Sequence, residues 1–192
     1  MNDVPKAGLA LMSGAIIFLF GIMFAEFTFE DYSVPQNMIS DLGANRDLSA
    51  AIFNSTIIIF GVSALYAANI FRRALKDHIF SLLIFLAGTG AIIVGVFNVD
   101  SVLIVHYFGA LMSFILGATA IIYSAKSIYK PPLSYLWTIL GILSLLSIVL
   151  LFTCWPSNNN CFRLGLGAVE RLIVYPIIIW AIATGSYLVA TK

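Results

Sequence analysis

The sequence predicts an all-α integral membrane protein, a bundle of six transmembrane helices that forms one domain over residues 1–192. Hydrophobic residues make up 61% of the chain and charged residues only 10%, whereas soluble domains carry roughly 25% charged residues. Six apolar stretches each reach the ~20 residues that a helix needs to cross the hydrocarbon core. Because lipid offers no partners to backbone N–H and C=O groups, helices are the expected form of these spans.

The six predicted spans fill most of the chain and leave short connections, as antiparallel neighbouring helices require. Their approximate bounds are Ala7 to Ala25, Ser49 to Phe71, Ile79 to Phe97, Ser101 to Ala125, Leu133 to Phe152 and Gly165 to Val189. The first span follows Lys6 and could be mistaken for a signal peptide, but it lacks a small-x-small cleavage site. We therefore interpret it as a retained helix.

The longest connection, Glu26 to Leu48, predicts a short amphipathic helix on the outer surface. Ser33 is a candidate N-cap with Pro35 in the first turn, and Gly43 fits a C-terminal stop. Between them, apolar residues recur at helical spacing: Val34, Met38, Ile39 and Leu42. In this arrangement Asp41 projects from the polar side of the helix, close to the mouth of the bundle.

The charged residues are divided unevenly between the two sides of the six-span arrangement. One side carries seven basic residues: Lys6, Arg72, Arg73, Lys76, Lys126, Lys130 and Lys192; the other has Arg46, Arg163 and Arg171. The positive-inside rule then places both termini in the cytoplasm of a multi-pass cell-membrane protein. Most acidic residues lie on the outer side: Glu26, Glu30, Asp31, Asp41, Asp47, Asp100 and Glu170. The net charge of +1 gives no indication of nucleic-acid binding.

Both cysteines, Cys154 and Cys161, fall in the same predicted outer loop. An oxidising exterior favours a disulfide between them. The alternative is a thiol or metal site, which would need more ligands than this loop supplies.

Three spans carry polar residues about one turn inside their outer boundary: Asn54, His106 and the pair Glu170-Arg171. At helical spacing, Asn54, His106 and Glu170 each share a helix face with small residues. His106, for example, shares its face with Gly109 and Gly117. Small residues mark the faces where membrane helices approach each other closely. We therefore expect these polar side chains to point into the bundle, where an ionisable group suggests a functional site.

These residues support several chemical roles. His106, Asp41 and Glu170 are candidate catalytic residues, because a neutral imidazole can accept a proton and carboxylates can exchange one. The candidate binding residues are Asn54, Arg171, Ser40 and Asp100. Ser40 and Asp41 with His106 could also supply a nucleophile, an orienting group and a base.

Plainer interpretations stand beside these roles. Glu170 and Arg171 could form an ion pair near a helix end, and Asn54 could bridge two helices. The only other histidine, His78, lies at the opposite end of the spans, so a three-histidine zinc site is excluded. No metal site is predicted, and the sequence identifies no cofactor.

An ordered set of short motifs resembles a known family. It comprises Ile39-Ser40-Asp41-Leu42-Gly43, Phe53-Asn54, Gly95-Val96-Phe97, His106 with Gly109-Ala110, and Glu170-Arg171 followed by Trp180. The set is similar to that of the six-span prokaryotic proteins catalogued as domain of unknown function 998, and more distantly to the eukaryotic Frag/DRAM/Sfk membrane proteins. The resemblance implies the six-span fold and marks Ser40, Asp41, Asn54, His106, Glu170 and Arg171. It implies no established reaction, and Asn98 stands where the family more often has proline.

Three functions remain open at this point. The first is an outward-facing polar pocket for a lipid headgroup or small amphiphile, as either a binding site or an enzymatic site that chemically processes it. The second is a small-solute transporter, which should show polar residues continuing to the cytoplasmic side. The third is a structural or interaction protein without catalysis. The expected partners are membrane lipids, with a homo-oligomer as a further possibility.

Overall fold

A computed structural model describes residues 3–44, 47–155 and 163–190. It contains six long helices in the order α1 Val4–Thr28, α2 Leu48–Ala74, α3 His78–Val96, α4 Leu103–Ser127, α5 Leu133–Cys154 and α6 Leu166–Ala190. Each is long and apolar enough to cross a membrane, and the described residues form no β-strand. The boundaries differ from the predicted spans by at most three residues, so the all-helical six-span prediction is confirmed.

The helices form a closed ring in which each one packs against its neighbours in the chain and α6 returns to α1. At one end of the ring the start of α1 meets the end of α6, because a Cβ added to Gly8 would lie 2.7 Å from the Gly185 backbone oxygen. The start of α1 and the end of α6 therefore lie at the same end of the bundle. The opposite end, which we call the distal end, carries residues 29–44, residues 97–102 and the start of α6.

Asp47 and Asp77 begin α2 and α3 by capping them. The Asp47 carboxylate accepts a hydrogen bond from the Ala50 N–H at 2.9 Å, and Asp77 accepts one from the Phe80 N–H at 3.0 Å. Such caps satisfy backbone N–H groups that have no partner within the helix. Glycines then allow the closest helix contacts: a Cβ on Gly90 of α3 would lie 2.5 Å from the Gly109 oxygen of α4.

The segment after α1 differs from its prediction. Residues 34–36 form a turn, and only Ile39–Gly43 are helical, as one short 3₁₀ helix. This helix does not lie on the surface: Ile39, Ser40 and Leu42 are buried. The Asp41 side chain accepts a hydrogen bond from the Met38 N–H at 2.8 Å, so Asp41 caps the start of this 3₁₀ helix.

The cysteine prediction falls partly outside the described residues. Cys154 ends α5 and is buried, whereas Cys161 lies in the segment that the structure does not describe. The disulfide between them therefore stays a prediction.

Candidate functional site

A groove opens at the distal end between α4 and α5, with a volume of about 570 Å³. This volume lies within the roughly 300–1,000 Å³ of typical ligand sites. Its walls are apolar and come mainly from α4 and α5: Ile104, Phe108, Ala110, Leu111, Phe114, Ile148, Leu151, Phe152 and Trp155. Phe108 and Phe152 are more than 60% exposed, so the groove opens onto the lipid-facing surface. We call it the α4–α5 groove.

Polar side chains gather at the head of the α4–α5 groove. Ser40 of the 3₁₀ helix, His106 and Tyr107 of α4 and Glu170 of α6 all line it, together with Met38. His106 and Glu170 are only 2% and 4% exposed. Three separate elements thus bring residues that are up to 130 positions apart in the chain to one place.

Glu170 joins α6 to the 3₁₀ helix. Its Oε2 accepts a short hydrogen bond from the Ile39 N–H, and its carboxyl group also interacts with the backbone N–H of Ser40. These two amides open the 3₁₀ helix and have no partner inside it. The contact therefore fixes the carboxyl group against Ser40 at the head of the groove.

His106 is held in one tautomer by the end of α3. Its Nδ1 lies 2.8 Å from the Phe97 carbonyl oxygen, which can only accept a hydrogen bond. The proton of the neutral ring is therefore on Nδ1, and Nε2 keeps its lone pair. His106 thus enters the site as a hydrogen-bond or proton acceptor.

Arg171 points away from the groove and binds the loop after α1. Adjacent helical residues are about 100° apart around the axis, so Arg171 and Glu170 face different neighbours. One amino group of Arg171 pairs with Glu26 at 2.6 Å and donates to the Tyr32 hydroxyl at 2.8 Å. The other donates to the carbonyl oxygens of Val34, Asn37 and Gly167 at 2.7, 3.2 and 3.0 Å. The ion pair considered for Glu170 and Arg171 is thus formed by Glu26 and Arg171.

Tyr32 completes this arginine-centred network. The guanidinium carbon lies 5.6 Å from the centre of the Tyr32 ring, within the range of a cation–π contact. The Tyr32 hydroxyl donates to the Met38 carbonyl at 3.0 Å, and burial raises the pKa of Tyr32 above its ordinary value. The network holds residues 32–38 against the start of α6, where the Ala168 N–H also donates to the Pro35 oxygen at 3.2 Å.

Asp41, Asn54 and Asp100 lie beside the groove rather than among the residues that line it. Asp41 caps its own turn, and burial raises the pKa of its carboxyl group, opposed by the hydrogen bond from Met38. Asp41 still interacts electrostatically with His106 and Asp100. Asn54 donates to the Gly43 oxygen at 3.2 Å, which fastens the 3₁₀ helix to α2.

The structure therefore divides the predicted residues into two groups. Ser40, His106 and Glu170 meet in the groove, whereas Arg171, Asn54 and Asp41 contact the backbone of residues 34–43. Sequence reasoning missed Tyr107 and the α5 wall, because an aromatic or aliphatic residue in an apolar span carries no signal of its role. It also missed the pairing of Arg171 with Glu26, although each is a lone charge near a span end. Among the described residues, no three histidine, cysteine, aspartate or glutamate side chains are grouped to hold a metal ion.

Comparison with known proteins agrees with this architecture. No curated protein and no solved structure shows significant similarity to the chain. The profile of one family, described as protein of unknown function (DUF998), matches residues 12–187. This range begins in α1, ends in α6 and includes every residue of the groove. Because the match covers nearly the whole of this multi-pass membrane protein, the chain belongs to the DUF998 family.

Proposed function

We propose that this protein binds a membrane amphiphile in the α4–α5 groove, with the headgroup beside Ser40, His106 and Glu170. The observation that carries the proposal is the pairing of an apolar groove, open to the lipid-facing surface, with buried polar groups at its head. A ligand site of this kind needs mostly apolar walls and a few polar groups that fix orientation. In the cell membrane, with the termini cytoplasmic, the groove takes its ligand from the outer leaflet.

The length of the groove fits one leaflet. Along α4 it extends from Ile104 to Phe114, ten residues, which at the helical rise corresponds to about 15 Å. The hydrocarbon core of a bilayer is about 30 Å thick, so one leaflet contributes about half of that. An acyl chain can therefore lie along the groove while its headgroup stays at the distal end.

The same geometry supports proton transfer at the headgroup. In the neutral ring of His106, Nε2 carries the lone pair, so we infer that it accepts a proton from a hydroxyl group of the ligand. Asp41 interacts electrostatically with the ring. Glu170 is the second acid–base group at the head. The chemistry that we propose for these residues is general acid–base catalysis on the bound headgroup.

Lipid analysis of the purified protein tests the binding proposal. After extraction in polymer nanodiscs, mass spectrometry should find an amphiphile enriched over the bulk membrane. Phe152→Ala should lower its occupancy at least about fivefold, because an aromatic contact at a binding site is worth more than ~1 kcal/mol. Phe24→Ala is the matched control, since Phe24 is also a lipid-exposed phenylalanine but lies on α1. Equal lipid profiles for wild type and both variants would refute the proposal.

A structural role without catalysis is the second candidate, and the network around Arg171 favours it. Three hydrogen bonds from one side chain hold the loop after α1, through Tyr32, Val34 and Asn37. The same side chain also bonds to α1 and to its own helix. Transport has less support: among the described residues, two cavities lined by α1, α2, α3, α4 and α6 measure only about 50 and 30 Å³, and their walls are mainly apolar. Product analysis of the retained lipid separates these candidates: an unaltered, non-enriched lipid favours the structural role.

A further inference from the structure

We propose that the ligand of the α4–α5 groove is a single-chain amphiphile whose headgroup donates hydrogen bonds and carries no negative charge, a hydroxyl or ammonium headgroup. This inference rests on the proposed function and adds the chemical class of its ligand. It follows from the groups at the head of the groove and from the shape of the apolar part below them.

The head of the groove is rich in hydrogen-bond acceptors. His106 presents Nε2 as an acceptor, because its Nδ1 proton is used by the Phe97 carbonyl. The carboxyl group of Glu170 accepts from two backbone amides of the 3₁₀ helix. Its two oxygens have about four lone-pair sites, so it can accept further hydrogen bonds. Ser40 and Tyr107 carry hydroxyl groups, which both donate and accept. A headgroup with several O–H or N–H donors satisfies these acceptors, whereas a phosphate or carboxylate offers further acceptors to the same place.

Charge points in the same direction. The described residues that line the groove include Glu170 and no lysine or arginine. Arg171, which follows Glu170 in α6, has both amino groups engaged by Glu26, Tyr32 and three carbonyl oxygens. Anionic headgroups are usually bound by arginine or lysine side chains. An anion in this groove would instead meet a carboxyl group in surroundings with few compensating charges, which is unfavourable.

The apolar part of the groove fits one chain. It is bounded on its inner side by Phe114 of α4 and by Ile148 and Leu151 of α5, which are buried or partly buried. Its outer side is formed by the exposed side chains of Phe108 and Phe152. The two helices that form it are neighbours in the ring and remain packed together. We therefore infer that one chain occupies the groove along about 15 Å of α4.

A series of probes with the same dodecyl chain tests the headgroup class. The probes are monolauroylglycerol with hydroxyls, dodecylamine, lauric acid and dodecyl phosphate, each at the same mole fraction in phosphatidylcholine nanodiscs. Native mass spectrometry measures how much of each stays bound to the full-length protein. The hydroxyl and ammonium probes should bind at least about tenfold better than the two anionic probes, a difference of ~1.4 kcal/mol.

A charge variant tests whether Glu170 sets this preference. Glu170→Gln keeps an oxygen that can accept from Ile39 but removes the charge of the carboxylate. The preference for the hydroxyl and ammonium probes over the anionic probes should therefore fall from about tenfold to below about threefold. Glu30→Gln is the matched control: Glu30 is an exposed acid at the same distal end and does not line the groove. Its preference should equal that of the wild type. If the Glu170 variant does not fold, the wild-type ratios still decide the question.

The outcomes distinguish the two proposals. Equal or tighter binding of the anionic probes, with Phe152→Ala weakening all probes, would overturn the headgroup inference and leave the groove as a lipid site. Binding of no probe, or binding that Phe152→Ala does not change, would overturn the proposed function as well. Comparison of the hydroxyl probe with the ammonium probe also distinguishes the two kinds of donor headgroup. Only the ammonium probe should bind more tightly because of the negative charge of Glu170.

Discussion

Replacing Arg171 with lysine tests whether the arginine network holds the distal end together. Both side chains are positively charged, so Arg171→Lys keeps the charge opposite Glu26. They differ in geometry, because guanidinium presents five N–H donors in a planar fork and an ammonium group has three donors on one nitrogen. Arg171 reaches five acceptors spread over the start of α6, the end of α1 and residues 32–37.

The magnitude follows from the acceptors that lysine cannot reach. With three donors, lysine satisfies at most three of the five acceptors, so at least two hydrogen bonds are lost. Hydrogen bonds to a charged group contribute about 1.5–3 kcal/mol each. The free energy of unfolding should therefore fall by about 3 kcal/mol. Part of this loss should be local and appear as faster hydrogen exchange in residues 32–38.

Reversible unfolding in mixed micelles with an anionic detergent measures the global change, and hydrogen exchange measures the local one. Arg73→Lys is the matched control, because Arg73 is exposed at the end of α2. The arginine-to-lysine substitution should change the free energy of unfolding there by less than about 0.5 kcal/mol. If Arg171→Lys also costs less than about 0.5 kcal/mol and leaves exchange in residues 32–38 unchanged, the network does not hold the loop and the reasoning is wrong.

Two further predictions concern helix packing and pH. Gly90→Ala should lower the free energy of unfolding by about 1–3 kcal/mol, because the new Cβ would lie 2.5 Å from the Gly109 backbone oxygen. Gly117→Ala is the control, since its Cβ would meet the end of the flexible Ile177 side chain at 3.0 Å. This variant should lose clearly less stability in the same unfolding assay. Burial raises the pKa of Asp41 above its ordinary 3.8, so the folded state binds its proton more tightly and stability should decline as pH rises from about that value through the raised pKa. Asp41→Asn should remove this decline in a pH series of unfolding measurements, and an unchanged pH profile would show that Asp41 does not cause it.

The sequence indicated which polar side chains face inward but not which groups they contact. Helical spacing placed His106 and Glu170 on faces with small residues, and both are buried. Spacing could not decide which element meets each face, because that depends on how the helices close into a ring. Arg171 shows the consequence: its neighbour in sequence is Glu170, but its ionic partner is Glu26, 145 residues away.

The loop after α1 shows a different limit. Its caps and apolar spacing predicted a helix over residues 33–43, yet the structure contains a turn and a 3₁₀ helix limited to Ile39–Gly43. Capping residues and apolar spacing indicate only the conformation that a segment prefers in isolation. In the folded protein, Arg171 donates hydrogen bonds to the carbonyl oxygens of Val34 and Asn37. A continuous helix would use these two oxygens for its own backbone hydrogen bonds.

The number of spans and their bounds to within three residues could be predicted from the sequence, because the hydrocarbon core requires long apolar helices. The same requirement made the few polar residues inside the spans easy to identify. The groove between α4 and α5, with Ser40, His106 and Glu170 at its head, became visible only in the folded arrangement. Lipid solvates all apolar helix faces about equally, so hydrophobicity does not select the faces that pack together. Which faces pack together, and where a space remains, is therefore set by small residues and hydrogen bonds between distant segments.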